Sequence, residues 1–325
     1  MKQLLIPLRK GLALFLATYF FFATLSLKSE PIAPLDKENV RLSLAVVSDV
    51  HTETNNFNRF QINMRAMKHL GAVKDTADAL LLLGDNTMNG QKLENLFLYG
   101  MLETVNPIKP YYTIVGNHDI GNVSEPDGSF PSFRERQLDY MQTFVDRSID
   151  ELYYSETVNG CHLIFMAPDT EECHERNFSD RQLDWLEAEL QKAAVDGKPI
   201  FVCNHHPLSY VVQGHDRFAQ LVTQYPNTFL LVGHMHYYIR FSLIRGNYDT
   251  PEIWVPTLSM MENDGTPNDM SGFGYLTEVY DDEVVFRGVN FYEGKLTDTE
   301  QHYALQTPDD TPELPLEPIP FEPIP

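Results

Sequence analysis

The chain has 325 residues, of which 43% are hydrophobic and 12% aromatic, a composition typical of a folded globular protein with one large core or two modest ones. Its 46 acidic residues outnumber its 24 basic residues and give a formal net charge of −22. Such a surface repels long polyanions, which disfavours recognition of nucleic acid through a basic face, although a local metal site can still attract a single phosphate group.

The first 27 residues are typical of an export signal. Three basic residues and no acidic residue accompany an apolar run over residues 11–27. As a helix this run would be about 26 Å long, slightly short of the ~30 Å hydrocarbon core of a bilayer. A cleaved signal peptide and a retained signal-anchor both fit, with residues 28–40 as a linker. We therefore expect an exported protein, either secreted or anchored with its folded domain outside the cytoplasm, whose only membrane contact is this segment.

From Arg41 onward, short apolar runs end abruptly in polar residues and are followed by amphipathic segments. The runs predict strands of a layered sheet and the amphipathic segments predict helices. The predicted strands lie within residues 42–51, 79–86, 111–119, 162–170, 199–207 and 228–236, and the predicted helices within residues 59–70, 94–105, 132–148 and 179–195. This alternation predicts an α/β sandwich rather than an all-β fold.

After His236 the sequence becomes rich in strand-like segments, up to about residue 292, and a second sheet packed on the first would account for them. The folded domain is expected to span residues 41–300. Residues 306–325 alternate proline with acidic and apolar residues, which predicts an exposed, extended tail. This tail is either a spacer or recognition segment or an ordinary disordered end.

The three cysteines, Cys161, Cys173 and Cys203, are too few for a disulfide framework and lack the paired spacing of zinc ligands. One bridge is compatible with the sequence, and Cys161 and Cys173 are the nearer pair. Three unpaired, largely buried thiols are the alternative.

Five of the six apolar runs end in residue types that ligate metals. These residues are Asp49 and His51, Asp85, Asn117 with His118 and Asp119, His205 and His206, and His234 and His236. Because ligands bind beyond the carboxyl ends of strands in open α/β folds, we expect these ends to converge. Oxygen and nitrogen donors suit Mn, Fe, Zn, Ni or Co, and the absence of cysteine at these positions disfavours a structural zinc site. Each block alone fits a polar strand end, but the set predicts a catalytic metal site.

Together, these blocks resemble the motif set of the calcineurin-like metallophosphoesterase superfamily over about residues 42–292. The blocks are Asp49-x-His51, Gly84-Asp85, Gly116-Asn117-His118-Asp119, His205-x-Pro207 and Gly233-His234-x-His236. The resemblance implies the metallophosphatase fold, a four-layer α/β/β/α sandwich of two mixed β-sheets flanked by helices, with two divalent or trivalent metal ions at the sheet edge. It also implies a ligand set in which Asp49, His51 and His236 hold one ion, Asn117, His205 and His234 hold the other, and Asp85 bridges them.

The same resemblance implies hydrolysis of a small phosphomonoester or phosphodiester, with a hydroxide between the two cations as the nucleophile. His118 would assist the leaving oxygen, and Asp119 would orient the ring of His118 and favour its charged form. His205 is assigned as the ligand rather than His206 because the family pattern is histidine, any residue, proline. We expect no nucleic-acid binding beyond a nucleotide substrate.

Met88 stands where purple acid phosphatases have a ligating tyrosine, and His51 stands where they lack a histidine. The chain therefore resembles the Asp-x-His branch, which includes cyclic-nucleotide phosphodiesterases, phosphomonoesterases, nucleotide and pyrophosphate hydrolases, and nucleases. His206, Tyr210 and His215 are predicted to line the substrate pocket, with ordinary loop packing as the alternative. The competing functions are a catalytically silent cell-surface binding module on the same fold, and a nuclease.

Overall fold

The computed structural model describes residues 29–120, 130–146, 148–169, 177–237, 239, 251–261 and 266–306. Several sequence predictions lie outside the described residues, namely the N-terminal apolar segment, most of the strand-like segment over residues 237–246, Cys173, and the tail from residue 307 onward. In the described part of the chain, no helix is both long and apolar enough to cross a membrane.

The described residues form eleven strands and six helices. The strands are β1 (Leu42–Val47), β2 (Ala79–Leu83), β3 (Tyr111–Ile114), β4 (Tyr154–Val158), β5 (Cys161–Phe165), β6 (Ile200–Asn204), β7 (Thr228–Val232), β8 (Glu252–Trp254), β9 (Phe273–Val279), β10 (Glu283–Asn290) and β11 (Lys295–Ala304). The helices are α1 (Phe57–His69), α2 (Lys92–Thr104), α3 (Asn117–Ile120), α4 (Phe130–Phe144), α5 (Asp180–Ala193) and α6 (His215–Gln224). The six predicted strands and four predicted helices are confirmed, with ends that differ by a few residues.

Two mixed sheets build the domain. Their strand orders are β11-β10-β9-β1-β2-β3 and β4-β5-β6-β7-β8. Strands β1, β2 and β3 run parallel, as do β5 to β8, whereas β4, β9, β10 and β11 pair antiparallel with their neighbours. The predicted four-layer architecture is confirmed.

The late strands differ from the prediction because they do not form a sheet of their own. Strand β9 pairs antiparallel with the free edge of β1, so β9, β10 and β11 extend the first sheet. Strand β8 extends the second sheet by pairing with β7. The physical reason is that an unpaired sheet edge leaves backbone donors and acceptors without partners, and these strands satisfy them.

Strand β1 shows how the layers divide the core. Leu42, Leu44 and Val46 face the cluster between the two sheets, whereas Ala45 and Val47 face the cluster under the helices. The strand is buried along its whole length because side chains alternate between two covered faces. Parallel strands covered on both sides read as continuous apolar runs, which is why the sequence located them.

Helix α5 covers the second sheet as its spacing predicts. Leu183, Leu186 and Leu190 are fully buried in the outer cluster of this sheet. The Ser179 hydroxyl accepts a hydrogen bond from the Gln182 amide at 3.2 Å and caps the helix.

Cys161 and Cys203 are buried free thiols. This observation agrees with the unpaired alternative for both residues.

Candidate metal centre

The carboxyl ends of β1, β2, β3, β6 and β7 place their polar residues in one region between the two sheets. Two of these loops carry a pair of candidate ligands separated by one apolar residue, and that residue is packed against the core. Val50 is fully buried in the cluster under α1 and α2, and Met235 packs against the cluster under α5 and α6. The apolar middle residue therefore turns its two neighbours toward the site.

The backbone at the site is strained. Five candidate ligands have a left-handed backbone conformation: Asp49 (φ 55°), His51 (φ 46°), Asp85 (φ 48°), His234 (φ 66°) and His236 (φ 49°). Such a conformation costs on the order of 1–3 kcal/mol at a residue other than glycine, and it persists where the surrounding structure enforces it. The chain thus turns sharply after each strand so that the ligand side chains point at one another.

One group of candidate ligands consists of Asp49, His51, Asp85 and His236, whose ligand atoms all lie within 4.8 Å of one another. The Nε2 atom of His236 is 2.7 Å from Oδ1 of Asp49 and 3.2 Å from Nε2 of His51. The structure therefore brings together the first predicted ligand set and the predicted bridging carboxylate.

The second group consists of His205, His206 and His234, again with ligand atoms within 4.8 Å of one another. Asp85 joins the two groups, because its Oδ2 atom is 3.2 Å from Nε2 of His205. The ring of His206 lies 4.4 Å from the ring of His234, so the predicted pocket residue is also within reach of this group. Asn117 begins α3, three positions after the last residue of β3.

Unpartnered polar atoms show that this donor set fits metal ions. Oδ1 of Asn117, Nδ1 of His51 and Nε2 of His205 are buried and make no hydrogen bond. Nδ1 of His205 lies 2.7 Å from the Leu83 carbonyl. Because a carbonyl only accepts, Nδ1 is the donor. In the neutral ring, Nε2 then directs its lone pair at Asp85. Electron-rich atoms at this separation require a cation between or beside them.

The electrostatics favour ligand-ready protonation states. Burial lowers the pKa of His51 to about 3 and the pKa of His234 to about 4, so both rings are neutral at pH 7. Burial by itself would raise the pKa of Asp49, but the neighbouring His236 lowers it to about 2. The pKa of the Asp85 carboxyl also lies well below its ordinary value, because the attraction of His205 outweighs the effect of burial.

His236 and His205 behave differently. Burial disfavours the charged ring of His236, but the Asp49 carboxylate outweighs this effect and raises the pKa of that ring. The same opposition acts on His205. Burial favours the neutral ring, but the carboxylates of Asp85 and Asp49, together with the Leu83 carbonyl, raise its pKa to about 9. In the metal-free protein a proton therefore supplies the positive charge that the carboxylates require.

His118 lies at the edge of the first group. Its Nε2 atom is 4.0 Å from Oδ2 of Asp85, and its backbone amide donates to Oδ1 of the same residue at 2.8 Å. Its Nδ1 atom is 2.7 Å from the Met88 carbonyl, which orients the ring.

Asp119 does not have the predicted role of orienting His118. Its carboxylate accepts the backbone amides of Asn86 (3.1 Å), Thr87 (2.8 Å) and Gly116 (2.9 Å), and the Thr87 hydroxyl (2.6 Å). The side chain is buried beneath the loops that follow β2 and β3. Asp119 therefore holds those two loops together. The carbonyl of Met88, rather than Asp119, orients the ring of His118.

The predicted pocket residues are placed unequally. Tyr210 is 36% exposed, and its ring lies 5.3 Å from that of His234. His215 begins α6, and its Nδ1 atom is 2.8 Å from Oδ1 of Asp216. The role of His215 stays a prediction.

The sequence did not single out several residues that shape the site. Tyr237 is 38% exposed and stacks on Trp254 at 5.2 Å; its position next to His236 was the available signal. The Thr257 hydroxyl donates to the Asp49 carbonyl at 3.1 Å, and the Ser259 hydroxyl donates to the Val50 carbonyl at 2.6 Å. No local pattern points to these last two contacts, because they join residues more than 200 positions apart.

Comparisons with known proteins agree with this geometry. The family model described as calcineurin-like phosphoesterase matches residues 42–238. A probable cyclic nucleotide phosphodiesterase of Rhodococcus erythropolis (strain PR4 / NBRC 100887) is 31% identical over 171 residues, which cover 49% of this chain and 52% of that protein. The match thus spans about half the length of this curated relative.

Two solved structures share the fold. One is a dimetal phosphatase from Danio rerio, with a TM-score of 0.58 and 13% identity over 82% of this chain and 100% of the other. The second is a purple acid phosphatase from yellow lupin, with a TM-score of 0.58 and 14% identity over 85% of this chain and 57% of the other. With the family match covering more than half of its length, the chain belongs to the calcineurin-like phosphoesterase family.

Proposed function

We propose that this protein is an exported, two-metal hydrolase of small phosphomonoesters or phosphodiesters. The observation that carries the proposal is the position of Asp85 between two groups of ligand atoms, 3.2 Å from Nε2 of His205 in one and within 4.8 Å of the ligands in the other. Export rests on the basic and apolar character of residues 1–27.

The proposed division of ligands follows the two groups. Asp49, His51 and His236 would hold one ion, Asn117, His205 and His234 would hold the other, and Asp85 would contact both. Such ions, when bound, would supply positive charge for phosphate oxygens and would lower the pKa of water. The buried carboxylates and the neutral rings of His51 and His234 supply donor atoms for this role, whereas His205 must first release its proton.

His118 is proposed to assist the leaving group. The Met88 carbonyl accepts a hydrogen bond from Nδ1–H of His118, so Nε2 is the nitrogen that faces the site, 4.0 Å from Asp85. A charged imidazole there can give its Nε2 proton to the departing oxygen, which matters most for a poor alkoxide leaving group.

The substrate is proposed to be a small phosphoester that carries a nucleoside or another flat organic group. The relative named as a probable cyclic nucleotide phosphodiesterase supports this class. Tyr210 beside His234, and Tyr237 stacked on Trp254, present aromatic faces on which a base could stack. The net charge of −22 argues against long nucleic acids as substrates.

The test uses the full-length protein, stripped of metal and reloaded separately with Mn, Zn, Ni or Fe. Hydrolysis of bis-p-nitrophenyl phosphate, p-nitrophenyl phosphate and a 3′,5′-cyclic nucleotide is then measured for each metal. Metal-dependent turnover is expected, and the ratio of the three rates separates diesterase from monoesterase activity. Absence of turnover with every metal would support the silent binding module instead.

Asp85→Asn tests the bridging role. Because an amide is neutral and a weaker ligand, we expect this variant to lose metal affinity at both groups and at least 10²-fold in kcat. Asp281→Asn is a matched control, because this carboxylate pairs with Arg41 on the surface. Normal rates in Asp85→Asn would mean that the bridge is misassigned.

Cell fractionation tests export. The full-length chain is expected in the membrane or extracellular fraction, and a variant without residues 1–27 in the cytoplasmic fraction. Identical distribution of the two would exclude an export role for this segment.

A further inference from the structure

Glu252 is a buried carboxylate outside both groups of candidate ligands. It lies on β8, the edge strand of the second sheet, and is only 5% exposed. Among the described residues, no basic side chain forms an ion pair with it. Burying a carboxylate without a cationic partner is unfavourable, so a strand position filled in this way calls for a physical reason.

The first contact of Glu252 is to the loop after β6. Its Oε2 atom accepts the backbone N–H of Leu208 at 3.0 Å. Leu208 follows His205, His206 and Pro207, and proline has no N–H, so this amide is the first backbone donor after the two histidines. Leu208 also begins the 3-10 turn Leu208–Tyr210, which places the Tyr210 ring beside His234.

The second contact is to Trp254, two residues along the same strand. Side chains two apart on a strand share a face, and Oε1 of Glu252 accepts the indole Nε1–H of Trp254. The indole ring stacks on Tyr237, with ring centroids 5.2 Å apart and an interplanar angle of 20°. Tyr237 directly follows the candidate ligand His236.

The Glu252 carboxylate therefore accepts hydrogen bonds from two residues, each of which contacts a different ligand-bearing loop. It reaches the His205 loop directly through Leu208 and the His236 loop through the stack of Trp254 and Tyr237. Leu208 and Trp254 also belong to the same buried cluster, against which Met235 packs. A shift of this carboxylate would move histidines of both groups at once.

We propose that Glu252 is a positioning residue that sets the relative placement of the His205–His206 and His234–His236 loops, and thereby the affinity of the centre for metal ions. This inference rests on the two-metal centre proposed above. A substitution that removes either hydrogen bond is expected to lower the affinity for metal ions and to have only a small effect on the thermal stability of the fold.

The test compares Glu252→Gln with Glu278→Gln in the full-length, metal-free protein. A glutamine has one acceptor oxygen, and its NH₂ group would face an N–H donor, so one of the two contacts is lost. Glu278 is the control because it is also buried on a strand and accepts a backbone amide, that of Leu35 at 3.0 Å. Unlike Glu252, it pairs with a basic residue, Arg287, at 2.8 Å. It lies opposite Ser43, at the end of β1 away from the site.

Calorimetric titration with Mn²⁺ and thermal unfolding are the two measurements. Outer partners of metal ligands typically contribute about 10–100-fold to affinity, so we expect a loss of that size in Glu252→Gln. Glu278→Gln is expected to lower Tm and to keep the wild-type Mn²⁺ affinity. Trp254→Phe keeps the ring stack but removes the indole donor, and it should give a smaller loss than Glu252→Gln.

Wild-type Mn²⁺ affinity in Glu252→Gln would overturn the inference, and so would an equal loss in Glu278→Gln. The outcome is separable from the proposed function. A wild-type protein that binds Mn²⁺ tightly but hydrolyses no phosphoester would refute the activity while the Mn²⁺ affinities of the variants still decide the role of Glu252.

Discussion

Gly116→Ala tests whether the close packing around Asp85 serves the metal centre. Gly116 does not have a left-handed backbone, so alanine meets no conformational obstacle. The added Cβ would, however, overlap the carboxylate and backbone nitrogen of Asp85 and would lie 2.7 Å from Cδ2 of His205. One of these two candidate ligands must therefore move.

The expected magnitude follows from these contacts. Overpacking a tight site typically costs about 1–3 kcal/mol, which lowers Tm by roughly 2–10 °C in a domain of this size. Displacing Asp85 should in addition weaken Mn²⁺ binding by at least about tenfold, because this carboxylate lies next to both groups of ligands. Turnover of bis-p-nitrophenyl phosphate should fall in parallel at a fixed Mn²⁺ concentration.

Two controls separate stability from metal binding. In Gly71→Ala the nearest atom to the new Cβ is 4.0 Å away, so both Tm and Mn²⁺ affinity should stay unchanged. In Gly288→Ala the new Cβ lies 2.7 Å from Cδ1 of Ile239. Gly288 is on β10, two places from β1 in the sheet, so only Tm should fall. Gly116→Ala with the Mn²⁺ affinity of the wild type would refute the reasoning.

Three further predictions concern His118, Asp119 and His205. His118→Ala should keep its metals and lose about 10²–10⁴-fold in kcat with alkyl leaving groups, and much less with p-nitrophenol, in steady-state assays. Asp119→Asn should lower the free energy of unfolding by about 1–3 kcal/mol in urea titrations, because an NH₂ group would face the amides of the loops after β2 and β3. Because His205 has a raised pKa of about 9, its contribution to the stability of the metal-free protein should be complete below pH 6.5 and be lost as the pH rises through 9. Mn²⁺ binding at pH 7 should accordingly release a proton, which calorimetry detects as an enthalpy that depends on the buffer.

Each of these predictions has a contrary outcome. Loss of bound metal in His118→Ala would make His118 a ligand. Unchanged stability in Asp119→Asn would contradict the loop-holding role, and Asp75→Asn, at an exposed carboxylate, is the control. A binding enthalpy that is the same in all buffers would mean that His205 is already neutral at pH 7.

The residue types of the metal centre could be predicted from the sequence because they depend on patterns among neighbouring residues. A strand that is buried on both faces requires an unbroken apolar run, and the point where it leaves the sheet requires polar residues, so β1, β2, β3, β6 and β7 and their ligand-bearing ends followed from neighbouring positions. Strand β11 was not predicted, because an exposed edge strand alternates with polar residues and lacks this run. Helix α6 was not among the predicted helices.

Contacts between distant residues had no such signal. The pairing of β9 with β1 depends on backbone hydrogen bonds between residues 229 to 237 positions apart, which side-chain periodicity does not encode. Asp119 stands next to His118 in sequence and was assigned to its ring, yet the turn into α3 directs the carboxylate toward backbone amides and leaves the ring to Met88. The hydrogen bond of Glu252 to Leu208 joins residues 44 positions apart.

The amino-acid sequence by itself determined the strand ends and the donor types that they carry, because burial and exposure along one strand are properties of adjacent residues. Only the tertiary structure decided which donor side chains lie close together and which polar groups hold them in place. Those relations depend on how two sheets meet and how each loop turns, and they are therefore set by packing and backbone hydrogen bonds between segments far apart in the chain.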